Sequence, residues 1–429
     1  MSDATLSELR PPAPWSARIP AALIAACLLV LPFGRVVEGP VALMAIAGLY
    51  LLASERRALL SRPAVRLFGA VFLAAWAPMV ISLMDAVNPE HTGITVLNHL
   101  RFYLGGLFVL HVLARADDHR WLLRVCAWVL AVWVVDALVQ IAFGRDLLGY
   151  AASGGRINAL FGDRNPAFSL TLAALCPLLW EHARRHWPAW LAALTVIATV
   201  AVVLVAETRS AWINVAVILA AYAVLLAPRA RLGTARLLAV LAVALLVGGA
   251  ALYHLSDRFA GRIEQTTAAL SGQIDTGADA IGHRLWIWKG ALDMIGDHPV
   301  NGVGARGFRY AFAEHAAADD PYINRDTPVV PTHSHQLWLE TLAETGIIGL
   351  AGLVLLLWLL ARAAWRADPP TRSVMLPYGL CLLAAYFPFN THMAIYSSFW
   401  SQIVWWLIAL YCAASGVADA PRSAEGERR

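Results

Sequence analysis

A histidine at the start of an apolar run is the first candidate for chemistry in this sequence. His335 follows Pro331, Thr332, His333 and Ser334, and the apolar residues after it predict that it opens a helix. A helix N-terminus favours a neutral imidazole over the cation. A neutral histidine can act as a general base for a hydroxyl group. The alternative is a histidine that caps the helix or contacts lipid headgroups, which is the commoner role.

Several arginines precede this histidine in the polar stretch 255–334. Arginine binds phosphate through paired N–H groups, so it suits a substrate that carries phosphate. Arg284 and Trp288 are four residues apart and share one face of a predicted helix, a pattern typical of a helix at a membrane interface. The alternative is an interfacial helix that binds no substrate. Further residues of this stretch that could contact substrate are His333, Lys289, Arg306 and Arg309.

Another arginine lies in a short turn between two apolar runs. Arg209 belongs to the sequence Ala206-Glu207-Thr208-Arg209-Ser210. A charge at membrane depth costs roughly 2.5–3.5 kcal/mol and usually has a function, although Arg209 could instead pair with Glu207 or reach lipid headgroups. Arg156 and Arg164 occupy a second such turn and are weaker candidates for substrate contact. Arg101, inside an apolar run, raises the same question.

Gly302, Gly304 and Gly307 match the pattern GxGxxG, but no predicted strand precedes them, so dinucleotide binding is not expected. We instead predict a compact turn whose backbone N–H groups help to hold an anion. No carboxylate stands at ligand spacing from His333 and His335, so no metal site is predicted. The 5 cysteines all lie in apolar runs without a ligand pattern. No cofactor is expected.

The elements that must position these residues are apolar helices. The 429 residues are 59% hydrophobic and 14% charged, whereas a soluble domain is about 25% charged. The sequence predicts an all-α polytopic membrane protein with about twelve spans, each long enough to cross a hydrocarbon core of about 30 Å. The predicted spans are residues 19–33, 36–53, 67–84, 94–113, 121–142, 166–181, 188–205, 210–227, 235–254, 335–361, 374–389 and 394–414.

The placement of arginine predicts the orientation of these spans. Arginines are concentrated in alternate turns and in the two tails, as expected of cytoplasmic segments. Both termini are therefore predicted to be cytoplasmic, with residues 1–18 a short tail and not a signal peptide. The chain divides into residues 1–254 with nine spans, residues 255–334 as a large periplasmic loop containing short helices, and residues 335–429 with three spans and a cytoplasmic tail.

Three stretches of the chain resemble the O-antigen ligase and polymerase superfamily of bacterial envelope glycosyltransferases, which have GT-C-like membrane folds. Residues 283–304 are similar to the loop signature of that family, and residues 335–349 to its histidine-bearing helix. Residues 208–212 resemble its outer arginine turn, and residues 162–166 are a weaker fourth match. One departure is Gln336, where many members have asparagine, a change that keeps the side-chain amide.

The resemblance implies a metal-independent, inverting glycosyl transfer at the periplasmic face of a Gram-negative inner membrane. The donor would be an O-antigen polysaccharide linked to undecaprenyl pyrophosphate, and the acceptor a hydroxyl group of lipid A–core in lipopolysaccharide biosynthesis. His335, Arg284 and Arg209 match the positions on which the family relies. We therefore expect His335 to act on the acceptor hydroxyl and the two arginines to bind pyrophosphate. Membrane lipids are expected partners, and nucleic acid is not.

Other functions are consistent with parts of the sequence. A polymerase would use the same donor, but we expect it to carry two sizeable outer loops, whereas here only residues 255–334 form one. A ligase that glycosylates a secreted protein would use the same catalytic residues. A transporter or flippase for lipid-linked glycans would be expected to show inverted repeats and charges at mid-membrane. The sequence has no such repeat, and Asp136 is its main charged exception.

Overall fold

The chain is helical throughout the part described by the computed structural model, which covers residues 15–152, 156–164, 167–230, 280–324, 330–388, 390 and 394–417, with isolated positions between 236 and 267. Apart from isolated β-bridges such as Arg145–Ala151, the regular structure in these ranges is helical. This confirms the predicted all-α class. The α-helices are α1 (Trp15–Leu29), α2 (Glu38–Ser54), α3 (Arg56–Ser61), α4 (Pro63–Ile81), α5 (Pro89–Val112), α6 (Ala116–Phe143), α7 (Phe168–His186), α8 (Ala189–Val205), α9 (Arg209–Ala230), α10 (Ala280–Asp297), α11 (Phe308–His315), α12 (Leu337–Arg366), α13 (Pro369–Tyr386) and α14 (Ser398–Ser415).

Every predicted span except the ninth overlaps one of these helices, and the ninth, residues 235–254, lies largely outside the described residues. By length and hydropathy, 6 helical stretches of the described chain can each cross a membrane. The protein is therefore a multi-pass membrane protein, and the larger predicted number of spans stays a prediction. The six stretches are Leu31–Ser54, Pro63–Asp85, Pro89–Val112, Ala116–Phe143, Leu337–Arg366 and Ser398–Ser415.

Two helices form the interior of the bundle. Every residue of α7 from Phe168 to Ala183 is buried, and so is every residue of α14 from Trp400 to Ala414. Other helices expose large apolar side chains, among them Ile46, Tyr50 and Trp358. Such side chains are stable on a surface that faces lipid, because hydrocarbon rather than water surrounds them.

The arginine inside α5 has a structural partner. Arg101 Nη1 lies 2.6 Å from Glu38 Oε2, and Gln402 Nε2 donates to Glu38 Oε1 at 3.0 Å. These contacts join α5 to α2 and α14, and each of the two half-buried charges compensates the other. The ion pair with Glu38 therefore explains why a charged residue, Arg101, lies inside this apolar run.

The charged residue inside α6 also has a structural role. Asp136 Oδ1 accepts a hydrogen bond from Leu147 N–H at 2.7 Å. One turn later, Gln140 Oε1 accepts bonds from the N–H groups of Asn158 and Ala159 at 3.0 and 2.9 Å. The end of α6 thereby holds the segment that connects it to α7. Asp136 therefore has a structural role at this connection.

The two short helices of the predicted loop, α10 and α11, pack on the start of α12 around a small apolar core. Gly290 allows this close approach, since a β-carbon there would lie 2.9 Å from the Phe312 ring. The core fixes both helices relative to the first turns of α12. Its buried members are Ile287, Ala291, Met294, Val303, Phe308, Ala311, Phe312 and Ala343.

A break in α12 receives the segment between these two helices, which we call the glycine turn (residues 301–307). Gly346 interrupts the helix with φ 63°, in the left-handed region. The interruption exposes backbone groups of α12, and these pair with the glycine turn and with the two residues before it. The bonds run from Val303 N–H to Ala343 O (2.9 Å), Gly304 N–H to Glu344 O (3.0 Å), Ile347 N–H to Pro299 O (2.9 Å) and Ile348 N–H to Val300 O (3.2 Å).

Replacing Gly346 tests how much this docking contributes to stability. A β-carbon there would lie 2.2 Å from Val300 O, and the φ value itself is strained for any other residue. We expect Gly346→Ala to lose at least about 1–3 kcal/mol of stability, measured as a lower midpoint of thermal unfolding in detergent. Gly296→Ala is the control, because a β-carbon at that position meets nothing within 4 Å. Equal midpoints for the two variants would contradict the docking.

Candidate active site

A cavity of about 500 Å³ lies where the glycine turn meets the first turns of α7, α12 and α14. Its apolar walls include Leu170, Phe399 and Trp400. The structure therefore brings together several of the residues predicted from the sequence, with two carboxylates beside them. The charged and polar residues of the described chain that line it are Arg306, Arg309, Thr332, His333, His335, Glu340, Glu344 and Ser397.

His335 lies one residue before the N-cap of α12, close to its predicted place at the helix start. The capping role belongs to Gln336, whose Oε1 accepts Leu339 N–H at 2.5 Å while its Nε2 donates to Pro388 O at 3.0 Å. His335 itself has φ 54°, and its ring centroid lies 3.9 Å from that of His333. A left-handed backbone at a non-glycine residue is strained and persists only where its surroundings enforce it.

Helix α10 is tied to this histidine segment by a predicted substrate residue. Trp288 Nε1 donates to Ser334 O at 3.1 Å, so the side chain supports the segment and does not line the cavity. Lys289, the next residue, is exposed, and its ammonium group lies 5.7 Å from the centre of the Trp286 ring. Trp288 and Lys289 were predicted to contact substrate, but neither is among the described residues that line the cavity.

Two predicted catalytic arginines from different helices are neighbours. Arg209 is the first residue of α9, and Arg284 belongs to the first turns of α10. Burial lowers the pKa of Arg284, and the nearby positive charge of Arg209 lowers it further. Two half-buried guanidinium groups that repel each other form a place where an anion is favoured. Neither is among the described cavity-lining residues, but Arg284 lies on α10 only about 6 Å before Trp288.

The arginines of the cavity are positioned by the glycine turn and by α11. Arg306 ends the turn with φ 62°, and its N–H donates to Glu344 Oε2 at 2.5 Å. Burial and the charge of Arg309 lower the pKa of Arg306, while Glu344 and Glu340 oppose that change. Arg309 Nη2 reaches Thr332 O at 3.4 Å. Both side chains therefore face the cavity from fixed backbone.

The glycine turn does not hold an anion with its backbone, so this prediction was wrong. Each N–H group from Gly302 to Gly307 already donates to an acceptor of the protein. The sequence could not reveal this, because most of these acceptors lie far along the chain. The acceptors are His298 O for Gly302, Ala343 O for Val303, Glu344 O for Gly304, Ser82 Oγ for Ala305, Glu344 Oε2 for Arg306 and Gly304 O for Gly307.

The other predicted substrate residues are not brought to the cavity by the described structure. Arg156 is exposed, and the side chain of Arg164 lies outside the described residues. Among the residues that the structure describes, no group of three or more His, Cys, Asp or Glu side chains is arranged to hold a metal ion. The cysteines are buried and free of disulfides.

Comparison with known families covers the charged residues of this site, but not its walls on α7 and α14. A family model described as O-antigen ligase matches residues 193–354. Residues 193–354 of the chain are therefore similar to the O-antigen ligase family. The matched residues contain Arg209, Arg284, His335, the glycine turn and the break at Gly346. No curated protein matches the chain.

Two carboxylates of the matched region, Glu340 and Glu344, were assigned no role in the sequence analysis. Glu340 and Glu344 are 2% and 1% exposed and line the cavity from the first turns of α12. They are four residues apart and so share one face of the helix. Two acidic residues at this spacing, at the start of an apolar helix, are a sequence pattern from which a site could have been predicted. It was missed because the partner of Glu344 lies in the glycine turn, and because the cavity that both side chains line is formed by residues far apart in the sequence.

The arginine pair predicts a response to inorganic pyrophosphate. We expect pyrophosphate well above its Kd to raise the midpoint of thermal unfolding, since a ligand that binds only the folded state stabilises it. Arg284→Gln should lose most of this shift. Lys289→Gln, on the exposed side of the same helix, should keep the shift. An equal shift in both variants would rule out Arg284 as an anion ligand.

Proposed function

We propose that this protein is an O-antigen ligase of the bacterial inner membrane. It transfers O-antigen polysaccharide from undecaprenyl pyrophosphate to a hydroxyl group of lipid A–core, without a metal ion or other cofactor. The observation that carries the proposal is a cavity lined by His335 and two arginines of the region that is similar to the O-antigen ligase family. A second arginine pair, Arg209 and Arg284, lies on neighbouring helices.

The reaction is a substitution at the anomeric carbon of the donor glycan. The acceptor oxygen forms a bond to this carbon from the face opposite the pyrophosphate, and the bond to the pyrophosphate oxygen breaks with its electron pair. Negative charge develops on the leaving group, where fixed guanidinium groups of Arg209 and Arg284 stabilise it without reorganising. His335 accepts or orients the proton of the acceptor hydroxyl. Inversion at the anomeric carbon follows from this direction of attack.

The cavity arginines extend the anion-binding surface toward the acceptor. Arg306 and Arg309 are held by backbone and side-chain contacts, so they contribute positive charge at fixed positions. Such preorganised charge is worth more in a partly buried site than in water. We assign them to the phosphate nearest the reacting sugar. Trp288 contributes by fixing the segment that carries His335.

The function requires a particular orientation in the membrane. We propose twelve spans with both termini in the cytoplasm and residues 255–334 in the periplasm. Support comes from the arginine distribution and from helices at the predicted span positions. The cavity then opens at the periplasmic face, where both lipid-linked substrates are available.

Cysteine labelling can test this orientation with little background, because the native cysteines are buried. We expect Asp319→Cys in the loop to react with a membrane-impermeant maleimide in intact spheroplasts. Arg57→Cys, on the short helix α3 between α2 and α4, should react only after the membrane is opened. Both positions are exposed, so protection reports sidedness and not burial. The reverse pattern would place the loop in the cytoplasm and contradict the proposed function.

Reconstituted transfer tests the chemistry. Purified protein should join lipid-linked O-antigen to lipid A–core in the presence of a chelator. His335→Ala should lower the rate about 10²–10⁴-fold, the contribution typical of a general base, and Arg284→Gln about 10²–10³-fold. Lys289→Gln is the control for a basic side chain on the same helix. Retained transfer in both site variants would refute these assignments. Longer lipid-linked chains without transfer would identify a polymerase, and movement of glycan without chemistry a flippase.

A further inference from the structure

Glu340 has a carboxylate oxygen whose partner is missing from the described protein. The side chain is 2% exposed and lines the cavity. Its Oε2 atom has no hydrogen-bond partner among the described residues. A buried polar atom without a partner costs free energy, roughly 1–3 kcal/mol in folded proteins. Because Glu340 also lines the cavity, its carboxyl group is a candidate for contact with a ligand.

The neighbouring carboxylate differs in this respect. Glu344 lies one turn further along α12, and its Oε2 accepts the N–H of Arg306 at 2.5 Å. Its backbone carbonyl also accepts Gly304 N–H. Glu344 therefore positions the glycine turn, and Glu340 is the carboxylate left to contact a ligand.

The position of Glu340 is fixed relative to His335. Glu340 N–H donates to Gln336 O at 2.9 Å, so the residue belongs to the first turn of α12, directly after the cap. His335 immediately precedes that cap. One short, rigid segment therefore presents an imidazole and a carboxylate to the same cavity.

The chemistry of the Glu340 side chain selects the kind of group that it can bind. A carboxyl group gives pyrophosphate no positive charge to bind, whereas the arginines do. A carboxylate accepts hydrogen bonds, and a neutral sugar offers hydroxyl donors. The aromatic side chains of Phe399 and Trp400 in the same wall give an apolar surface for a sugar ring. The side of the cavity formed by α12 and α14 thus matches a sugar and not a phosphate.

We propose that Glu340 accepts a hydrogen bond from a second hydroxyl group of the acceptor sugar, beside the hydroxyl on which His335 acts. This inference rests on the proposed transfer reaction and adds a residue that selects the acceptor. The acceptor is then held by two of its hydroxyl groups, which orients the reacting oxygen toward the donor.

Steady-state transfer with each substrate varied separately tests the assignment. Glu340→Gln replaces one oxygen of the carboxyl group by an NH2 group that cannot accept a hydrogen bond, so kcat/KM for lipid A–core should fall roughly 10- to 100-fold, with KM for the lipid-linked donor within about twofold of wild type. Glu314→Gln, the same change at an exposed position of α11, is the matched control. A rise in the donor KM alone, or an unchanged kcat/KM for the acceptor, would overturn the proposal.

A second measurement varies the acceptor. Its first part uses only the wild-type protein and therefore does not depend on the folding of a variant. Among acceptors that each lack one non-reacting hydroxyl, one should transfer about as poorly as the full acceptor does with Glu340→Gln. That analogue should lose nothing further with the variant, since the two changes remove the same contact. If every deoxy acceptor reacts like the full one, Glu340 has no such contact. Wild-type protein without any transfer activity would instead overturn the proposed function itself.

Discussion

The pairing of the glycine turn with the break in α12 is the constraint on which the rest of the site depends. Gly346 opens the helix so that two N–H groups of the turn bond to α12 carbonyls, while two N–H groups of α12 bond to the residues before the turn. This exchange places Arg306 against Glu344 and starts α11, which carries Arg309. Helix α10 is fixed by the same unit, and through Trp288 it holds the histidine segment. A helix without the break would satisfy its own backbone and leave the turn without partners.

Backbone strain coincides with the same region. In the described chain, the non-glycine residues with positive φ are Ala159, Glu207, Arg306 and His335. Arg306 and His335 line the cavity, and Glu207 stands two residues before Arg209. Conformations of this kind cost of order 1–3 kcal/mol each and persist where tertiary contacts enforce them. Their concentration beside the candidate catalytic residues indicates that side-chain direction there is set by the surrounding fold.

The sequence predicts the parts of this architecture that depend on local pattern. Hydropathy locates the helices because a span must be apolar over its whole length. Residue type and position single out Arg284 and His335 as candidate site residues. The glycine turn was assigned the wrong role because most acceptors of its N–H groups lie far away in the sequence, on α12 and at Ser82, which no local pattern encodes. Glu340 was overlooked for the same reason. Its meaning comes from an unpaired oxygen at a cavity wall, and the sequence alone does not give a cavity.

Charges inside this apolar bundle divide into two kinds. Glu181, fully buried in α7, is bound by Arg184 and Arg185, and Glu38 is bound by Arg101, so each negative charge is compensated within the protein. The cavity is different, because basic groups from the glycine turn and α11 line the same open space as carboxyl groups of α12. If these basic and acidic groups formed direct ion pairs, the arginines would have no free charge with which to bind a ligand. Keeping the two signs apart on rigid elements lets one side attract an anion and the other accept hydroxyl groups. A reaction between an anionic leaving group and a neutral nucleophile needs both surfaces next to each other.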